Sequence, residues 1–273
     1  MTKQTRLLLA GAFGGGVGAL LGEACMRDFT TDSRSGTVVH VGIVLGVVSS
    51  MVAFGVRFAI ARNCNHRCPA FGQSASAIIA GALAGAVGGA CAQVVYLQFE
   101  TGVFQHIVGR TLCWALAGLL LGSVLSLAIP NMSRWRGGLF GCLGGLLGGA
   151  VFLALGASGL PEWGQRLGAF GGLGALIGLA VSIAESLETW KGAVLEIAYG
   201  PKEIVRMALG LVPITFGGSS SDTIYVSGMP RCAVSVTSKA GTVYVARGES
   251  TPIVLRDRST IKVGSVVATV CLI

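Results

Sequence analysis

The sequence predicts an all-α membrane helical bundle of about six glycine-rich transmembrane helices, followed by a small all-β sandwich. Three observations carry that reading. Hydrophobic residues fill 52% of the 273 positions and charged residues only 12%, where an ordinary soluble domain carries about 25% charged residues. Apolar stretches of about 20 residues recur through the first two-thirds of the chain, each long enough to cross a hydrocarbon core about 30 Å thick. From about Thr189 the period changes from helical to alternating, with Gly or Pro between short runs. The expected domains are therefore a helical one over 1–188 and a β one over 189–273.

Taken in order, the candidate spans are 7–26, 38–61, 75–99, 107–129, 137–157 and 167–184. Each must be helical, because an open strand edge in lipid leaves its backbone polar groups unsatisfied. Pro69 sits in the loop before the third span and Pro130 ends the fourth. Gly159, Pro161 and Glu162 turn the chain between the last two. No small-residue cleavage site precedes the first span, so it is expected to remain as a membrane helix.

The connecting loops alternate in charge. Lys3 and Arg6 precede the first span, Arg57, Arg62 and Arg67 lie at or after the end of the second, and Arg134 and Arg136 follow the fourth. The other loops are balanced: Arg27 and Arg34 against Asp28 and Asp32, Arg110 against Glu100, Arg166 against Glu162. The bias of Lys and Arg toward cytoplasmic loops then puts both termini, and the β domain, in the cytoplasm of a multi-pass inner-membrane protein. The +8 net charge is spread over short loops with no run of five basic residues. It reads as a topology signal toward the lipid bilayer and not as a nucleic-acid surface.

The helical part repeats. Gly109-Arg-Thr-Leu-Cys-Trp-Ala-Leu-Ala-Gly-Leu-Leu-Leu-Gly122 is similar to the segment from Gly164 to Gly178, and Gly11, Gly15, Gly18 and Gly22 parallel Gly81, Gly85 and Gly89. Gly137, Gly141, Gly145 and Gly149 do the same in the fifth span. Three helical hairpins of like topology result, which argues against an inverted-repeat transporter. Glycines four apart make a flat groove along which two helices approach closely. Gly141, Gly145 and Gly149 are thus expected to pack helices, either within a tight bundle or at an oligomer or small-residue pore.

Polar residues within the spans are few. Glu23, His40, Arg57 and Gln93 are the candidates, with Glu23 and Gln93 either bonding between helices or marking a polar path. Eight cysteines are present, several inside apolar stretches where Cys acts as a small hydrophobe. Cys64, His66 and Cys68 lack C-x-x-C spacing and an evident fourth ligand, so no metal is expected. Gly217–Asp222 lacks the Lys of a phosphate-binding P-loop. No catalytic set and no cofactor site emerge, so the chain is not expected to be an enzyme.

The alternating segments of the tail are 194–199, 213–216, 224–226, 233–237, 242–246, 253–255, 260–263 and 266–272. Many short strands in about 80 residues make a small sandwich. Their order, with Ile214-Thr-Phe-Gly217-Gly-Ser219-Ser-Ser-Asp222-Thr-Ile224, Pro230-Arg231-Cys232-Ala233 and Val254-Leu255-Arg-Asp257-Arg-Ser-Thr-Ile261-Lys-Val263-Gly264, resembles the forkhead-associated (FHA) domain. The combination with glycine-rich spans looks like bacterial membrane proteins of that type. The resemblance implies recognition of phosphothreonine peptides by loops. Here Gly218 stands where the family has its Arg, Cys232 where it has His, Met229 where it has Ser, and Arg247-Gly-Glu-Ser-Thr-Pro252 replaces Asn-Gly-Thr. Ser219, Ser220, Ser221 and Arg231 remain as donors for a phosphate or a protein partner. The expectation is a membrane-anchored scaffold, open to homo-oligomerisation, whose FHA-like domain binds a cytoplasmic protein partner. The alternative is a subunit of a channel or transporter with a β regulatory domain.

Overall fold

The computed structural model describes residues 2–26, 33–98, 103–127, 129–189, 192–200, 203–248 and 250–272. The predicted loop charges Arg27, Asp28, Asp32 and Glu100, and the third span's expected end at Phe99, lie outside them. The chain forms two compact units. One comprises Met1–Ala59, Phe71–Ala128 and Arg134–Ala184; the other comprises Ile60–Ala70, Ile129–Ser133 and Glu185–Ile273.

The first unit is all α. Its helices are α1 (Lys3–Met26), α2 (Arg34–Asn63), α3 (Phe71–Tyr96), α4 (Val103–Ser126), α5 (Arg134–Gly156) and α6 (Glu162–Glu188). Among the described residues six helices are long and apolar enough to cross a membrane, the architecture of a multi-pass membrane protein. They begin three to five residues before the predicted spans, because helical hydrogen bonding continues through polar residues beyond the apolar core. The fourth ends short at its far side. It stops at Ser126 and not at Ile129, since the residue before Pro130 is disfavoured in a helix.

Glycine sets the packing. Gly14 and Gly18 face Met51 and Val48, Gly81 faces Ser49, Gly88 faces Ala117, Gly144 faces Ile177 and Gly11 faces Gly174. Each helix thus touches its chain neighbours, and α6 closes on α1 as a ring. The three odd helices present glycines to the helix before them in the same way. Added methyls at Gly15, Gly85 and Gly145 would strike the carbonyls of Phe170, Leu45 and Trp114. That is a threefold repeat of one contact. The large apolar side chains point outward, as Phe13 (73% exposed), Leu83 and Leu143 do, while the glycines are inside. Trp135 and Trp163, at the starts of α5 and α6, are also exposed, as aromatic anchors at two membrane interfaces would be.

The second unit is β. Its strands are β1 (Val194–Gly200), β2 (Glu203–Ala208), β3 (Ile214–Gly217), β4 (Ile224–Tyr225), β5 (Val234–Lys239), β6 (Thr242–Arg247), β7 (Ile253–Leu255), β8 (Thr260–Val263) and β9 (Val266–Cys271). They form one sheet in the order β2-β1-β9-β8 and another in the order β4-β3-β5-β6-β7. Alternate residues are fully buried, among them Leu195 and Ile197 in the first sheet and Phe216 and Val236 in the second. Ala240 and Gly241, both at positive φ, make the two-residue β5–β6 turn between paired Lys239 and Thr242; such a turn needs φ > 0 twice. Strand β2 is not among the alternating segments of the sequence. Its Val205 and Met207 point inward while Ile204 and Arg206 are exposed, so an exposed Ile beside a buried Val hides the alternation.

Candidate functional site

The helical unit encloses a cavity of about 390 Å³ at the end away from the N-terminus, within the size range of small-molecule sites. Its polar lining includes Glu23, His40, Gln93, Tyr96, Arg110 and Arg166. The Arg166 guanidinium donates to the Glu23 carboxylate, joining α6 to α1. Arg110 lies 5.4 Å from the centroid of the Tyr96 ring. Deeper, the walls become apolar. Leu45, Ala92 and Val44 line the cavity there, and Trp114 meets Phe152 and Phe170 with ring centroids 5.5 and 5.7 Å apart. Beyond them Val52, Val56, Leu7 and Val181 are fully buried. The space is a pocket with a polar mouth and an apolar floor.

The threefold glycine contact explains which residues meet there. Arg166 and Arg110 each stand four positions before the residue whose carbonyl is packed by a glycine, Phe170 and Trp114 respectively. Glu23 and Gln93 each stand eight positions after the packing glycine, Gly15 and Gly85. Glu23 and Gln93 were candidates from the sequence. Arg110, Arg166 and the aromatic floor were not; the similar segments 109–122 and 164–178 bring the two arginines into register only when matched from their closing glycines, Gly122 and Gly178. Arg57 lies elsewhere, donating to the Gln73 side-chain carbonyl.

In the β unit, Ser219, Ser220 and Ser221 sit on the turn between β3 and β4. The Ser219 and Ser221 hydroxyls are 2.9 Å apart. Asp222, only 4% exposed, ties this turn to the next. Its Oδ2 accepts from the Ser219 amide (3.0 Å) and its Oδ1 from the Cys232 amide (3.1 Å). Arg231, on that second turn, is exposed. The predicted donors therefore come together through their backbone, with a carboxylate between them. Gly218 cannot be larger without striking the Met229 carbonyl. Gly141 and Gly145 pack on α4 at Gly118 and Trp114, and a methyl on Gly149 would lie 2.9 Å from the Trp114 ring.

Two short segments outside the tail complete this unit. Cys64 accepts the Tyr225 amide (3.1 Å) and Asn65 donates to the Tyr225 carbonyl (3.1 Å), covering the outer edge of β4. The His66 Nε2–H donates to the Asp222 carbonyl at 2.9 Å, so this imidazole serves the clasp. Burial, with Cys64 and Glu203 adding to it, holds the Tyr199 phenol well above the usual tyrosine range. Cys64 is buried and Cys68 exposed. In the other segment Asn131, at φ 60°, donates to the Ala208 and Val212 carbonyls (3.1 Å each) and accepts the Val212 amide (3.0 Å). Asn131→Ala is expected to destabilise this connection by about 2 kcal/mol. Faster amide hydrogen exchange at Val212, with α5 unchanged, would show it; equal rates would refute it.

No family model matches this chain, and no curated protein does. A solved structure described as Mycobacterium tuberculosis EmbR in complex with low affinity phosphopeptide aligns with 99% of this chain and 71% of its own. The identity is 13% and the TM-score 0.25, a similarity at which neither fold nor ligand transfers from one chain to the other.

Proposed function

We propose that this protein is a membrane-anchored interaction protein of the bacterial inner membrane, with both termini cytoplasmic and an FHA-like domain that holds a protein partner. The carrying observation is the buried Asp222 carboxylate, which locks the 217–223 and 229–232 turns side by side. A rim fixed before binding loses little entropy on association, and Ser220, Ser221 and Arg231 are exposed on it. The same carboxylate supports a partner that needs no phosphate. It already accepts the Ser219 and Cys232 amides and would repel a phosphoryl group of charge near −2.

The test uses the full chain in cells, with a photo-crosslinking amino acid at Ser220 or, as control, at Lys239 on the opposite end of the same sheet. A discrete adduct at Ser220 and none at Lys239 is expected. Arg231→Glu should reduce it roughly tenfold or more, and phosphatase treatment of permeabilised cells before irradiation should leave its yield unchanged. No adduct, or equal adducts at both positions, would sink the proposal. The polar cavity favours a second reading, a membrane domain that handles a small molecule. Conduction is not what its shape supports, because the floor is closed by packed Val and Leu side chains.

A further inference from the structure

We propose that the cavity of the helical unit is a binding site for an amphiphile with a singly charged anionic head, seated at Arg110, and a hydrocarbon portion in the aromatic floor.

The argument starts from charge. Arg110, half-buried near the start of α4, loses part of its hydration in the cavity wall, which is costly unless something compensates it. The threefold repeat shows how the fold compensates one of its two equivalent arginines. Arg166 on α6 meets Glu23, which stands eight residues after Gly15 on the adjoining α1. Arg110 on α4 has the same relation to α5, and the residue eight after Gly145 is Leu153. Where the first arrangement holds a carboxylate, the second holds an alkyl chain. Among the described residues Arg110 meets the Tyr96 ring and no carboxylate. Gln93, the counterpart of Glu23 on α3, is a neutral amide. Among the described residues the lining therefore carries one positive charge beyond what its own carboxylate balances, and a single anion restores neutrality.

Shape supplies the rest of the ligand. Five residues separate His40 from Leu45 along α2, about 7 Å of descent. Over that depth the lining changes from polar to Val44, Leu45, Ala92, Trp114 and Phe170. Burial of hydrocarbon there gains roughly 25 cal/mol per Å², and the head stays at the level of Arg110. A free carboxylate and a membrane lipid with one net negative charge share this chemistry.

Bromodecanoate and bromodecanol, each with a terminal bromine, distinguish the proposal from plain partitioning. The full chain, with Trp135, Trp163 and Trp190 changed to Phe, is placed in phosphatidylcholine nanodiscs and Trp114 fluorescence is read. The carboxylate is expected to quench saturably, with half-saturation at least roughly tenfold below the alcohol's, the size of a charge-assisted contact. Arg110→Gln should erase that preference, and Glu23→Gln should keep it. Val44→Phe, which fills the space and leaves Arg110 in place, should remove saturable quenching. Equal quenching by the two probes, or a preference that survives Arg110→Gln, overturns the site. So does unchanged saturable quenching in Val44→Phe. Added phosphatidylglycerol identifies the source: competition marks a membrane lipid, and its absence a free carboxylate.

Discussion

Gly145→Leu is expected to break the α4–α5 contact and cost more than about 3 kcal/mol, at the top of the range for overpacking. At this position the atoms in the way are backbone. A methyl on Gly145 would strike the Trp114 carbonyl oxygen and lie 3.2 Å from the Gly118 Cα. Gly118 and Gly122 in turn face Gly145, Gly141 and Gly137, so the two helices touch along more than two turns with no side chain between them. Backbone cannot rotate aside as a leucine can, and the helices must separate. Separation forfeits dispersion contacts along the whole seam, and in lipid no hydrophobic effect between helices draws them back. Gly156→Ala in the same helix is the control, since nothing lies within 4 Å of that site. Thermal unfolding in detergent, read by loss of the monodisperse species, should drop sharply for the first variant and hardly change for the second. Equal midpoints would show that the glycine seam is not what holds α4 to α5.

The same seam shows how much of the fold was legible beforehand. Apolar runs of about 20 residues and glycines four apart mark helices that must pack closely, and both signals are local. Helix ends are less so, because α2 and α6 run on through Arg62 and Glu185 while hydropathy falls. Strand β2 escaped notice because exposed Ile204 interrupts the alternation. The cavity is a tertiary product: Glu23 and Arg166 are 143 residues apart. Its sequence signals were the intramembrane Glu23 and Gln93 and the internal repeat, which aligns Arg110 with Arg166 when matched from Gly122 and Gly178. Asn131 gave no signal, and His66 stood out only beside Cys64 and Cys68 as a metal set without a fourth ligand. Each lies in a short loop between apolar spans, and each acts on strands more than 70 residues further along.

Asp222→Ala is expected to cost the β unit about 3–6 kcal/mol, the sum of two charge-assisted bonds to backbone amides at about 1.5–3 kcal/mol each. Alanine leaves the Ser219 and Cys232 amides without their acceptor, and it removes the link between the two turns that flank β4. The buried side of β3 feels the loss directly, because Gly217 lies against both Asp222 Oδ2 and the Cys232 amide. Asp222→Asn offers one oxygen and one N–H₂ in place of two acceptors, so it should fall about halfway between wild type and alanine. His66→Ala removes a bond to the Asp222 main-chain carbonyl and the ring contact with Tyr225, whose centroid lies 5.6 Å away, and should cost about 1–2 kcal/mol. Amide hydrogen exchange across 214–217 in the full chain ranks the three variants, and the same order should appear in the yield of the Ser220 adduct. Unfolding and partner binding separate at this point. If Asp222→Asn keeps the slow exchange of β3 yet loses the adduct, the carboxylate acts on the partner itself. If both fall together, its work is to hold the rim in the shape the partner meets.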